Sequence, residues 1–179
     1  VRGLGVKAEL YQASVDDFPT CESMVNKIVA DFGHLDILIN NAGIASRGRS
    51  VADTEPAEMA RVVGVHAFGP FYLSHLCAPL MRDRPRGDII MISSVATKNW
   101  MANGSPYNMG KAASEALAYT LYKEEVQYGT RVNIVAPGLV ETEMGRRLSK
   151  ARGTDNIRDL DEISPFGHVC APKDVANVV

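Results

Sequence analysis

Three short apolar runs, each ending abruptly in small polar residues, constrain this chain most. Residues 35–39 (LDILI) run into Asn40-Asn41-Ala42-Gly43, residues 88–92 (DIIMI) into Ser93-Ser94, and residues 131–135 (RVNIV) into Ala136-Pro137-Gly138. Short, nearly continuous apolar runs bounded by turn residues read as strands buried on both faces. Helical patterns lie between them. In residues 20–32, Met24, Val25, Ile28, Val29 and Phe32 recur at helical spacing, and Gly33 follows as a stop. A long helix is expected within 56–82, broken or tightened near Gly69-Pro70. Another is expected over 106–127, with Pro106 in its first turn. Residues 6–13 read as a further strand, 141–165 as polar loop with short helix, and 171–179 as the start of a helix. Strands alternating with helices predict an α/β, doubly wound parallel sheet in three α/β/α layers. Ligands of such sheets bind beyond the carboxyl ends of the strands, where the three polar clusters converge.

The gross numbers narrow the function classes. At 179 residues, one domain over 1–179 is expected. A hydrophobic share of 46%, a charged share of 22% and a net charge of −2 describe an ordinary globular protein with no nucleic-acid footprint. No apolar run is long enough to cross a bilayer, and the opening VRGLGVKAEL lacks a signal-peptide pattern, so a cytoplasmic location is expected. Cys21, Cys77 and Cys170 are widely spaced and read as reduced thiols. The four histidines are scattered without metal-ligand spacing, so no metal is expected.

One stretch carries candidate chemistry. In Ser105-Pro-Tyr-Asn-Met-Gly-Lys111, Tyr107 and Lys111 stand four apart and share a helix face. The spacing recurs at Tyr119 and Lys123, about 120° round the helix from the first pair. Position separates the two. Tyr107 starts its helix beside the polar rim, where Ser94 ends the preceding strand, and no serine stands equivalently before Tyr119. The second pair therefore reads as helix surface or interface.

Taken together, NNAG after an apolar strand, a Ser thirteen residues before a Tyr, YNMGK and APGLVET resemble the short-chain dehydrogenase/reductase family over nearly the whole chain. The resemblance implies a Rossmann-type domain that moves a hydride between NAD or NADP and a carbonyl or secondary alcohol. The commonest match is to 3-oxoacyl-carrier-protein reductase-type members. It implies Tyr107 as acid/base, Lys111 as the cation that lowers the phenol's pKa and holds the nicotinamide ribose, and Ser94 as the hydroxyl that orients the substrate oxygen. A phenol ordinarily titrates near pH 10, and a nearby ammonium favours its ionised form. Asn41, Ala42 and Gly43 match the segment beside the adenosine ribose. Pro137, Gly138, Val140 and Thr142 match the loop that grips the carboxamide. Trp100 and Met101, between Ser94 and Tyr107, are expected to wall the substrate pocket, with 141–165 as its lid. Homodimers or homotetramers are common in the family.

The chain departs from the family pattern in three places. His66, in Gly64-Val65-His66-Ala67, stands where the family usually has an Asn of a proton relay. An imidazole can donate and accept in such a relay, or it can simply pack, and both readings stay open. Ser14-Val15 stands where the family often has Asp-Val beside the adenine. The Gly-rich strand-turn-helix that receives the pyrophosphate, and the last strand, are absent from residues 1–179, so the sheet is expected to be incomplete. A longer true chain is expected, by about fifty residues in front and a few tens behind, with poor folding of these residues alone. The competing reading is a cofactor-binding or scaffolding member of the same fold without turnover, for which His66 speaks and intact Ser94, Tyr107 and Lys111 do not.

Overall fold

Asp17 starts the first helix by accepting the Thr20 N–H at 3.0 Å, and Gly33 ends it in the left-handed region, at φ 80°. In the computed structural model, which describes residues 2–179, this is helix α1 (Phe18–Phe32). The order continues β1 (Ile37–Asn40), α2 (Pro56–Val63), a π-turn (Gly64–Phe68), α3 (Gly69–Met81), β2 (Gly87–Ile92), α4 (Ala96–Asn99), α5 (Ser105–Glu125), β3 (Thr130–Val135), α6 (Glu143–Ala151) and α7 (Pro172–Val178). Short 3₁₀ turns occupy Arg2–Leu4, Val126–Tyr128 and Ile157–Leu160.

The three apolar runs form one parallel sheet in the order β1-β2-β3, with Ile39 beside Ile90 and Ile90 beside Asn133. Parallel pairing needs crossovers, which α2–α3 and α5 supply. Helices α3 and α5 pack against one face, and α1 packs on α3. The core there joins Val25, Cys77, Ala78, Met81, Ile89, Met91, Ala118 and Leu121. Ile37 and Ile39, on the outer strand, are exposed. The Rossmann-type α/β sheet is therefore present but, over the described residues, incomplete as expected. At its amino end, buried Asp88 is bridged to Arg86 at 2.5 Å and Arg131 at 2.7 Å, far from the polar rim.

Residues 6–13 are not a strand. A strand exists only with a partner, and none flanks this segment among the described residues. Side chains tie it instead to the end of α1: Tyr11 Oη donates to Asp31 at 2.5 Å, and the Lys7 ammonium lies 4.5 Å from the Phe32 ring centroid. The second long helix is interrupted earlier than Gly69-Pro70. Gly69 N–H reaches back to Gly64 O, five residues rather than four. Pro70 has no N–H for the His66 carbonyl, which leaves the wider turn free to form. Short α4 was not legible in the sequence. The three cysteines are free thiols, and among the described residues no helix is long and apolar enough to cross a membrane.

Candidate active site

The rim is built by ties between strand ends. Ser93 N–H donates to Val135 O at 2.7 Å, and Val95 N–H to Pro137 O at 3.1 Å, so the Ser94 and Pro137 loops are held side by side. Helix α5 begins below them with Pro106 near its first position, where a missing N–H costs least. Tyr107 is partly buried, and Ser94 is within hydrogen-bonding reach of its phenol. One turn on, Lys111 is only 6% exposed, and its Nζ donates to Ile92 O, at the end of β2, at 2.5 Å. The ammonium sits 5.8 Å from the Tyr107 ring centroid. The sequence-predicted trio is thus brought together at the carboxyl rim.

The electrostatics differ from expectation. Burial raises the Tyr107 phenol above its ordinary value, with the Ser94 hydroxyl pulling the other way, and Lys111 does not bring it down. The reason is geometric: the ammonium spends a hydrogen bond on a backbone carbonyl in a poorly solvated place. Burial lowers Lys111 itself to about 8. A pKa near 8 still leaves it protonated about ten to one at pH 7.

His66 lies within the π-turn, 2% exposed. Its Nε2 is 2.7 Å from Ile44 O, a contact that requires the proton on Nε2 and leaves Nδ1 a bare lone pair. Nδ1 is buried without a hydrogen-bond partner in the described structure. Burial drives its pKa down to about 4, against the pull of the Ile44 carbonyl and with the Lys111 charge adding to the fall. The ring meets Tyr107 edge-on, centroids 5.0 Å apart at 79°. Two glycines make room for it. A Cβ on Gly43 would sit 2.9 Å from His66 Cε1, and one on Gly110 would sit 2.6 Å from His66 Cβ. His66 is therefore a neutral wedge between the loop after β1 and α5. Gly43 is small for the sake of this ring, rather than only for a ligand.

The remaining expected residues fall as follows. Asn41, Ala42 and Gly43 are exposed at the end of β1, with backbone open to a ligand. Gly138 and Thr142 are also exposed, but the Thr142 hydroxyl caps α6 by accepting Gly145 N–H at 3.1 Å. Val140 is half-buried and bridges to Cys170. Ser14 hydrogen-bonds Asp16, and Val15 packs on Gly69, its oxygen 3.1 Å from where a Cβ would be. Trp100, 58% exposed, ends α4 in the left-handed region at φ 46°. Met101 Sδ is 3.1 Å from Arg152 Nη2 just after α6, which joins the expected pocket wall to the expected lid.

Glu115 was missed. It is 8% exposed, and its Oε1 accepts from Ser93 Oγ at 2.5 Å and Thr97 Oγ1 at 2.8 Å, with Lys98 Nζ 3.6 Å from Oε2. Burial pushes its carboxyl up, but the two hydroxyls and Lys98 outweigh that and hold it below its usual range. The sequence signal was an acid four residues after Lys111, which ordinarily marks a surface ion pair.

A parallel sheet whose polar strand ends gather at one rim, crossed over by helices, defines a Rossmann-type α/β protein. Residues 2–179 match the family model described as enoyl-(acyl carrier protein) reductase. The chain belongs to the short-chain dehydrogenase/reductase family. It is 33% identical over 164 residues to a 3alpha-hydroxysteroid dehydrogenase of Mediterraneibacter gnavus, covering 92% of this chain and 64% of that protein. It is 32% identical over 178 residues to a 3-oxoacyl-[acyl-carrier-protein] reductase of Thermotoga maritima, covering 99% of this chain and 70% of that one. The structure of an NAD+-bound xylitol dehydrogenase superposes with a TM-score of 0.87 at 26% identity, over 98% of this chain and 74% of that chain. The chain thus spans about two thirds of the length of these relatives.

Proposed function

We propose that the protein is an NAD- or NADP-dependent oxidoreductase acting on a carbonyl or secondary alcohol, with Tyr107 as general acid/base. The observation that carries this is the convergence of Ser94, Tyr107 and Lys111 at the carboxyl rim, beside the exposed backbone of 41–43 and 137–138. That rim fits a dinucleotide. Exposed Ala42, Gly43 and Gly138 offer backbone N–H groups at two strand ends, and Lys111, a buried cation anchored to one carbonyl, retains donors for a ribose hydroxyl. When bound, the cofactor supplies or takes up the hydride. As the carbonyl oxygen gains charge in reduction, the Ser94 hydroxyl donates to it and Tyr107 gives it a proton. The Ser94 hydroxyl, which pulls the phenol's pKa down, favours the phenolate left behind, and Lys111 serves the ribose. Oxidation runs the same proton back to Tyr107.

His66, named among the catalytic candidates, acts here by holding the loop at Ile44 and the face of α5. Trp100 and Met101 wall the substrate side. Exposed Phe68, Phe71, Tyr119 and Tyr122 on the outer surfaces of the middle helices support assembly as a homodimer or homotetramer, and the three free thiols support a cytoplasmic protein. One observation favours the non-catalytic alternative, the raised Tyr107 phenol.

The test is Tyr107→Phe in the intact protein. It is assayed against acetoacetyl-CoA (a 3-oxoacyl thioester), a 3-oxosteroid and xylitol with both cofactors. Binding of NAD(H) and NADP(H) is followed by tryptophan fluorescence, Trp100 being the single tryptophan of residues 1–179. Turnover should fall about a thousandfold while cofactor affinity survives. Undiminished turnover in the variant overturns the mechanism; binding without turnover in the parent protein selects the alternative.

A further inference from the structure

Ser94 orients the substrate oxygen only if its own hydroxyl is held still, and the structure shows what holds it. Its Oγ accepts the Ala96 N–H at 3.2 Å, which occupies a lone pair and leaves the proton to point elsewhere. Its carbonyl accepts the Thr97 N–H at 3.1 Å. The turn is therefore folded on Ser94 itself. Lys111 ties the end of β2 to the helix of Tyr107 through Ile92 O, and beyond that point one carboxylate joins the turn to the same helix. Glu115 Oε1 takes the hydroxyls of Ser93 and Thr97, the residues on either side of Ser94, and Glu115 stands on the same helix as Tyr107 and Lys111. Thr97 Oγ1 also lies 3.0 Å from Ser94 O, but its one proton goes to the shorter, charge-assisted contact.

We propose that Glu115 is a positioning residue, whose carboxylate clamps the Ser93–Thr97 turn onto α5 and so sets the reach between Ser94 and Tyr107. It touches neither substrate nor cofactor, and it acts through Ser94. Packing does not account for it. A buried carboxylate is costly unless fully hydrogen-bonded, and an apolar residue would fill the same place against β2 more cheaply. One carboxylate oxygen here is matched to two hydroxyls that flank the site serine, while the exposed Lys98 Nζ lies 3.6 Å from the other.

The inference rests on the role proposed above for Ser94, so its test separates the two. In the intact protein, Glu115→Leu should speed amide hydrogen exchange at Ala96 and Thr97 by tenfold or more, while amides of 116–125 keep their protection. Glu115→Gln, which retains an acceptor oxygen, should restore most of it. With whichever carbonyl probe the parent protein reduces, Glu115→Leu should lower kcat on the order of tenfold or more at unchanged cofactor affinity. In a Ser94→Ala background the same change should cost little further, because both act through one hydroxyl. Unchanged exchange at Ala96 and Thr97, or losses that multiply in the double variant, would overturn the proposal. Full turnover in Ser94→Ala would instead sink the role of Ser94, and exchange would still decide whether Glu115 holds the turn. If Glu115→Leu does not fold, Thr97→Val removes one of the two donors at nearly constant volume and should give a smaller change in the same direction.

Discussion

Helix α5 carries the same pattern twice, and the two copies have opposite fates. Tyr107 and Lys111 are drawn into the rim, Lys111 with only 6% of its surface left; Tyr119 is 60% exposed and Lys123 is exposed too. The residue three after each tyrosine shows why. After Tyr107 it is Gly110, whose missing side chain admits His66 against the helix; after Tyr119 it is Tyr122, about half exposed. The spacing makes both pairs possible. A glycine, a strand end and a wedge histidine draw one of them into the polar rim.

The largest expected contrast is kinetic. Tyr107→Phe should raise the barrier by about 4 kcal/mol, the equivalent of a thousandfold, and Tyr119→Phe should leave kcat within error. The comparison also sharpens with pH. Lys111 carries a folded pKa of about 8, so its cation is lost as pH rises through that value. The kcat for reduction should fall above pH 8, although the phenol, whose own pKa is raised, stays protonated there. A flat profile from pH 7 to 9.5 would show that the ammonium is not required.

The second contrast is in stability. His66 has a folded pKa of about 4 against an ordinary 6.5, so between these values the unfolded chain binds the extra proton. Stability is fully present above pH 6.5 and is lost as pH falls toward 4, by about 3 kcal/mol in all. Urea unfolding at pH 7 and at pH 4.5 should show most of this loss in the parent protein, and His66→Asn should flatten it. An equal loss in the variant would assign the pH dependence to other groups.

How far the sequence reached follows the same line. The strands, their order of polar ends and the Ser94–Tyr107–Lys111 trio were legible, because strand runs and helix faces are local periodicities. What depended on tertiary neighbours was not. The segment 6–13 has strand-like residues, but pairing needs a strand beside it. Thr142 has the hydroxyl expected to face a cofactor, and its second use, as the cap of α6, was not legible. Lys111 was expected to lower the Tyr107 pKa, but burial acts on both groups and moves each away from its charged form. Glu115, four residues after Lys111, drew no reading from the sequence, and each of the two is buried with its own partners, Ile92 O for Lys111 and the Ser93 and Thr97 hydroxyls for Glu115. In every case the residue type was right for polar work, and the fold decided which work.

The smallest contrast tests the glycine. Gly110→Ala would place a methyl 2.6 Å from His66 Cβ, an atom fixed to the backbone that cannot swing aside. Overpacking of this kind costs about 1–3 kcal/mol, against which alanine returns about 1 through helix propensity. A net loss of up to about 2 kcal/mol is expected in urea unfolding, and it should shrink when His66 is also replaced by the smaller Ala. At the second pair, Tyr122→Ala removes a side chain from the surface and should change stability by less than about 0.5 kcal/mol. If Gly110→Ala proves as neutral as Tyr122→Ala, then the wedge does not press on α5. The difference between the two pairs would then have to come from the strand ends alone.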